Sequence, residues 1–325
     1  MSDLNRIKVY KYKNIAAALA VMLLSLVALS TSCGKDASSK KENSKKSDTT
    51  ESSIVASEDK DSEKGSRLTK NYKYKEMKSV GEGLLVQVDS AHPFTGTLGE
   101  TEALYPYLFT KDGVMLMAAG YPSDEARTDM LRQLNNLAVD FKGYCGLDTL
   151  MVTSLIPDDE NAAKTDEAYI GSCADLMINV DGEYKEFTGT EDYAWIPNNC
   201  YKYGFVMRGT NRLRYIGKEA AACIRDMGLA DGPADFETLL ADIKEYSFEK
   251  PLYFTADNGV QYAGYFVPLS DEATTSIPIP TRSDESELNH FISGNNVDGY
   301  IVFADLSGET DLTTTDGWKQ MKICR

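Results

Sequence analysis

From Gly83 onward the chain switches between two hydrophobic rhythms. Strand side chains face opposite sides at every second residue, whereas helical side chains return to one face after about 3.6 residues. Residues 84–88 and 114–118 carry the first rhythm and predict short strands. Ser123 stands as an N-cap, with Asp124 and Glu125 in the first turn, ahead of Met130, Leu131, Leu134, Leu137, Ala138 and Phe141 at helical spacing. Gly143 closes that helix. Residues 149–156 and 174–180 read as apolar strands, the second ending at Asp181-Gly182. Thr190 caps a short helix over 193–200, with Glu191 in its first turn. Residues 204–208 and 213–216 predict a strand pair, and 218–227 and 234–246 two helices separated by Gly232-Pro233. From Pro251 short strand-like runs take over, at 251–255, 260–267, 276–280 and 300–304, broken by Gly, Asn, Pro and Ser. The pattern predicts an α+β fold: a small antiparallel sheet with packed helices over 73–248, then a β-rich C-terminal module over 249–325.

The first residues follow a different logic. Arg6, Lys8, Lys11 and Lys13 precede an apolar run at 15–29, shorter than the roughly 20 residues of a comfortable membrane span. Small residues Ser30, Thr31 and Ser32 then lead to Cys33. That order predicts a secretory signal over 1–32. Its Ser-Cys-Gly ending resembles a bacterial lipobox, with Cys33 as the lipidated residue, although Leu29 stands four positions ahead of the Cys rather than three. Residues 33–72 are Ser, Lys, Glu, Asp and Thr with almost no large apolar side chain, a composition that cannot offset the entropy of ordering. They read as a disordered tether. The expected location is therefore extracytoplasmic, with a lipid anchor on the outer face of the bacterial cytoplasmic membrane.

Composition narrows the function classes. Hydrophobic residues make up 42% of 325, enough for a sizeable core, while the net charge of −16 disfavours nucleic acid and anionic membrane surfaces. Five cysteines follow Cys33, namely Cys145, Cys173, Cys200, Cys223 and Cys324, without any C-x-x-C spacing, so neither a zinc knuckle nor a thioredoxin-like pair is indicated. Their pairing stays open. No phosphate-binding glycine loop occurs between a strand and a helix, and no cofactor is expected.

Three runs resemble the VanY-type D-alanyl-D-alanine carboxypeptidases, zinc peptidases of the bacterial wall. YAWIPNNCYKYGFVMRGTNRLRYIGKEAA matches that family's helix, Tyr-Gly-Phe strand and strand-to-helix step. LLVQVDSAHPF matches its first strand and His-Pro turn, and FISGNNVDGYIVFADL a C-terminal extension of some clostridial members. The resemblance covers roughly 83–305 and implies the family's fold, yet it also implies a degenerate catalytic site. The family's Ser-x-His-x-x-Gly-x-Ala-x-Asp motif aligns with DEAYIGSCAD, so the ligand Asp is kept as Asp175 and the ligand His becomes Ala168. Its Glu-x-Trp-His motif falls on GTNR, which puts Gly209 at the general base and Arg212 at the third ligand. The carboxylate-binding Arg falls on Pro157. A cation at the third ligand position would repel a metal, and the resemblance suggests that Arg212 pairs with Asp175 in the old site.

The residue chemistry agrees. A catalytic zinc takes three protein ligands and keeps one open position. This chain has two histidines, His92 in a His-Pro turn and His290 in the C-terminal module, in no ligand spacing. Cys173 shares a strand face with Asp175 but has no neighbouring His, Ser154 and Ser172 lack a nucleophile elbow, and 158–160 and 191–192 read as solvated carboxylates. The leading expectation is a catalytically inactive envelope lipoprotein that binds peptidoglycan stem peptide through a cleft containing Asp175 and Arg212. Two alternatives stand beside it: an active wall hydrolase with an altered metal site, and a cell-surface adaptor for a protein partner.

Overall fold

The computed structural model describes residues 71–307 apart from 105–114, 118–124, 146–149, 158–162, 181–182, 187–190, 232–234 and 283. In chain order the elements are β1 (Tyr72–Met77), β2 (Thr101–Ala103), β3 (Met115–Met117), β4 (Glu125–Arg127), α1 (Thr128–Cys145), β5 (Leu150–Ser154), β6 (Cys173–Val180) and β7 (Glu183–Glu186). There follow α2 (Trp195–Asn199), β8 (Phe205–Arg208), β9 (Arg212–Tyr215), α3 (Lys218–Asp231), α4 (Phe236–Asp242), β10 (Leu252–Thr255), β11 (Gln261–Pro268), β12 (Thr275–Pro280), β13 (His290–Gly294) and β14 (Gly299–Asp305). Short 3-10 turns at Glu167–Ile170, Glu191–Ala194, Cys200–Tyr203 and Ile243–Glu245 join them. The fold is α+β, as its sequence rhythm predicts.

Two principal sheets carry the structure. The first runs β3-β5-β6-β9-β8, with β7 pairing β6. It is antiparallel except that β3 lies parallel to β5. That pair is the one departure from the all-antiparallel expectation, and α1 supplies the long crossover that a parallel pair requires. The second sheet runs β10-β11-β14-β13 and is antiparallel throughout. β1 pairs with β12, so the start of the described chain is zipped onto the C-terminal region.

Alternation decides what each face buries. Met130, Leu131, Leu134, Leu137 and Phe141 of α1 pack on Val152, Ala174, Leu176, Ile178, Phe205 and Leu213. The opposite face of β8 gives Val206 to a second core with Ile224 of α3, Phe236 and Leu239 of α4, Phe254, and Ile301 and Phe303 of β14. The other face of β14 sends Tyr300 and Val302 into a third core with Tyr265, Ile277 and Ile279. Helices α3 and α4 are thus shared by both sheets, and the C-terminal sheet is covered on both faces.

Several local expectations are corrected. Residues 84–88 form no strand. Leu85 and Val86 are fully buried, but the backbone there is satisfied out of register: Leu85 N–H donates to Ser293 Oγ at 2.8 Å and Gln87 N–H to Asn295 O at 2.9 Å. Glu125 belongs to β4 rather than to a helix, and α1 begins at Thr128 and runs through Gly143. Ser123, Asp124, Asp158, Asp159, Glu160, Asp181, Gly182, Thr190, Gly232, Pro233 and Cys324 lie outside the described residues, as do Cys33 and the whole of 1–70. Among the described residues no helix is long and apolar enough to cross a membrane.

Candidate functional site

The site grows from one row of strand pairing. Asp175 on β6 is opposite Arg212 on β9, and Arg212 is opposite Arg208 on β8. Directly opposed side chains of a pleated sheet share a face. Two residues along, Cys173, Arg214 and Val206 form the next row on that face. Asp166 and Glu167 arrive from the preceding 3-10 turn. Asp166 caps it by accepting from Ala168 N–H at 2.8 Å, and Gly171, at φ 75°, closes it with its N–H on Ala168 O. A left-handed residue is needed there to turn the chain into β6.

Three guanidinium groups converge on these carboxylates. Arg212 donates to both oxygens of Asp175, Nε–Oδ1 at 2.6 Å and Nη2–Oδ2 at 3.1 Å, and its Nη1 donates to Asp166 Oδ1 at 2.7 Å. Bidentate pairing of this kind fixes orientation as well as charge. Glu167 Oε2 receives Arg208 Nε at 3.1 Å and Arg214 Nη1 at 2.9 Å, and Arg212 Nη1 stands 3.8 Å from Oε1. Arg208 also grips Glu237 of α4 at 2.6 Å. Arg214 is only 1% exposed, donates to Leu84 O and Val86 O, and lies 3.9 Å from the Phe236 ring centroid. Those two carbonyls belong to the segment that forms no strand, so a buried arginine does the work of a missing ladder.

Electrostatics follow the geometry. The hydrogen bonding of Arg212 to Asp175 is the largest influence on Arg212 and raises its pKa, against the opposing effect of burial. Burial is the largest influence on Arg214 and lowers its pKa, opposed by the nearby Cys173 and Glu167. Burial also pushes the Cys173 thiol up to about 12. A thiol in that state is no nucleophile near neutral pH, so the strand-face neighbour of Asp175 is a packing residue. Ser172 is fully buried.

An open depression of about 410 Å³ lies over this cluster, lined by Glu167, Asp175, Arg208, Gly209, Asn211 and Arg212. Its charges face each other, and Arg212 fills the space between Asp175 and Asp166. Gly209 sits in the β8–β9 turn at φ 64°, with nothing within 4 Å of where a Cβ would stand. Ala168 is buried in the 3-10 turn, and Pro157 follows β5 without lining the depression.

The residues present do not fit a catalytic zinc. A guanidinium, hydrogen-bonded on both sides, stands against Asp175, and a divalent cation beside it would meet a fixed positive charge. Among the described residues no three His, Cys, Asp or Glu are grouped to hold a metal. Both histidines have local partners instead. His92 Nδ1 lies 3.1 Å from Asp89 Oδ1 in a turn that Asp89 caps, and His290 Nδ1 lies 2.8 Å from Leu288 O.

Sequence reasoning placed Asp175 and Arg212 together and missed Asp166, Glu167, Arg208 and Arg214. Strand parity was a partial signal for the arginines: 208 and 214 lie in the predicted strands 204–208 and 213–216, 212 falls just ahead of the second, and only the observed register puts all three on one face. Nothing local marks Glu167, which acquires its role only when the 3-10 turn folds beside β8 and β9.

Comparison with known proteins agrees with this architecture. No family model matches the chain. A D-alanyl-D-alanine carboxypeptidase of Enterococcus faecium is 24% identical over 140 residues, covering 39% of this chain and 41% of that protein. The chain therefore matches about two-fifths of that relative's length. Among solved structures, the vancomycin-resistance D,D-dipeptidase VanXYg, in complex with a D-Ala-D-Ala phosphinate analogue, superposes with a TM-score of 0.56 at 17% identity over 72% of this chain and 99% of that one. The chain is thus similar in fold to that D,D-dipeptidase and, over part of its length, in sequence to that D-alanyl-D-alanine carboxypeptidase.

Proposed function

We propose that this chain is a non-catalytic lipoprotein of the bacterial envelope, which keeps a D-alanyl-D-alanine peptidase fold as a module for recognising wall stem peptide. The observation that carries the reading is Arg212, bonded at 2.6 Å to Asp175 and at 2.7 Å to Asp166. Zinc hydrolysis needs a metal-bound water, a base beside it and an open coordination position. Gly209 offers no base, Ala168 offers no ligand, and Arg212 holds the space with a cation.

Recognition remains within reach of the same groups. A stem peptide carries ammonium and carboxylate ends, and the depression presents Glu167 and Asp175 beside Arg208, Arg212 and the polar Asn211. Cys33 and the polar 33–72 segment would hold the domain off the bilayer, within the wall. The test is incubation of the purified protein, with and without zinc, with a pentapeptide ending in D-Ala-D-Ala. The expected result is saturable binding, peptide recovered intact and no stoichiometric zinc. Zinc-dependent release of D-Ala would defeat the proposal and favour an active hydrolase. The absence of both binding and D-Ala release would favour an adaptor for a protein partner.

A further inference from the structure

A second surface, built from α1, α2 and the 3-10 turn at Cys200–Tyr203, has the composition of a sugar site. Tyr144, in the last turn of α1, is 59% exposed, and its ring stacks on Trp195 at 5.9 Å with an interplanar angle of 27°. Trp195 in turn meets Tyr203 at 6.3 Å. Beneath them Phe141 closes the row at 6.0 Å from Trp195 and roots it in the core. Trp195 thus links the exposed Tyr144 to Tyr203, with Trp195 and Tyr203 half-buried against the core and the outer face of Tyr144 turned to solvent. An exposed aromatic ring held in place by aromatic neighbours beside a polar depression calls for a ligand more than an isolated one does.

Beside the row lies an open depression of about 320 Å³, and Tyr203 belongs to both. Gln133, Asn136, Val139, Asp140, Lys202 and Lys218 line the rest of it. The Tyr203 hydroxyl donates to Asp140, which locks the ring against α1. Gln133 presents a buried amide oxygen that has no hydrogen-bond partner. Lys202 is held by Asn199 at 2.8 Å. In a chain of net charge −16, two ammonium groups beside one carboxylate, already engaged by Tyr203, make a locally cationic spot.

A pyranose has one chemistry on its faces and another on its rim. Its axial C–H bonds lie well on the electron-rich face of an aromatic ring, and its hydroxyl and acetamido groups pair with planar amides and carboxylates. We propose that the Tyr144–Trp195–Tyr203 row and the adjoining depression bind a β-linked pyranose oligosaccharide, with Gln133 and Asn136 addressing its substituents and Lys218 any acidic group it carries. Rings already fixed by packing lose little freedom on binding. The inference stands on residues apart from the carboxylate–arginine cluster and does not depend on how that cluster is read.

The indole of Trp195 supplies its own reporter. With Trp318→Phe in the full chain, Trp195 is the remaining tryptophan. Its fluorescence should shift saturably on titration with chitotetraose or with peptide-free wall glycan containing muramic acid, and less with cellotetraose, which lacks acetamido groups. Tyr144→Ala, at an exposed position, should weaken binding about tenfold, the scale of one lost stacking platform. Lys218→Ala should weaken the muramic-acid strand more than chitotetraose if the acidic wall glycan is the source, and both equally if an uncharged glycan is. No saturable shift with any of the three sugars at millimolar concentration would overturn the proposal. So would wild-type affinity in both Tyr144→Ala and Lys218→Ala.

Discussion

Two strands show how differently this molecule fills its interior. In β14 every residue from Gly299 to Ala304 is buried, and both faces are apolar or aromatic: Ile301 and Phe303 meet the α3–α4 layer, and Tyr300 and Val302 meet the third core. In β9 one face is equally apolar, through Leu213 and Tyr215, but the other carries Arg212 and Arg214. Apolar burial is non-directional and scales with area. Buried charge is directional, costs several kcal/mol per ion in desolvation, and is tolerated only while every partner is present. The C-terminal sheet is therefore held by bulk, and the site face of the first sheet by mutual dependence among a few groups. Glu167, which takes hydrogen bonds from Arg208 and Arg214 with Arg212 close by, is the hub of that dependence.

The contrast can be broken most directly by two substitutions of similar size and opposite character. Phe303→Ala should cost about 3–5 kcal/mol through lost transfer energy and a cavity. Glu167→Ala should cost a similar 3–5 kcal/mol, because it leaves Arg214 buried without its carboxylate. Urea denaturation measures both, and a loss below about 1 kcal/mol for Glu167→Ala would show that the arginines find other partners. Only the charged site should regain stability when its cation is also removed, as in Glu167→Leu with Arg214→Met.

Alkaline titration sharpens the difference further. The Cys173 thiol, ordinarily near 9, is held up to about 12 by burial, with the Glu167 charge adding to it. Between those values the folded protein keeps a proton that the unfolded chain has released, so stability should fall as pH rises through that window. Cys173→Ala should reduce, without abolishing, the part of the fall that begins near 9, because Cys200 titrates over the same window. Cys200, also raised to about 12, and tyrosines such as Tyr215, Tyr253 and Tyr262, raised from 10 to about 12, contribute to the rest. Thermal midpoints at about pH 8, 9, 10 and 11, roughly one-unit steps about the thiol's ordinary range, would read this out.

Smaller effects belong to half-exposed groups. A double-mutant cycle on Arg212→Ala and Asp175→Ala, whose side chains are about a fifth exposed, should give a coupling of about 1–2 kcal/mol, below that of a fully buried pair. Smallest is Asp235→Ala, which removes the cap of α4, where Asp235 accepts from Thr238 N–H at 2.9 Å. It should cost about 1 kcal/mol by chemical denaturation. Because α4 carries both Phe236, against Arg214, and Glu237, on Arg208, the same change should loosen the charged site more than the C-terminal sheet.

Much of the architecture is legible from the chain alone, for reasons that can be named. The apolar spacing of Met130 to Phe141 is regular enough to specify α1, and the strand pair around Gly209 is marked by alternation on both sides of a turn. His290–Gly294 was missed as a strand because His, Ser and Gly dilute its pattern, and Tyr72–Met77 because four of its six residues are exposed. Segment 84–88 has strand rhythm without strand structure, since the alternation reports burial and burial is all that Leu84, Leu85 and Val86 share with a strand.

The sequence by itself determined the α+β class and the scarcity of histidine, because the first depends on local periodicity and the second on residue type alone; the pairing of Asp175 with Arg212 was suggested by resemblance and fixed by the register of β6 on β9. Tertiary structure decided that Glu167 would be the shared partner of arginines from two other strands, that Arg214 would be buried beneath Phe236, and that one pair of helices would serve two sheets. Those outcomes join residues up to 130 positions apart, as Arg214 and Leu84 are. No local periodicity carries such a distance; only the packing of the layers brings the groups together.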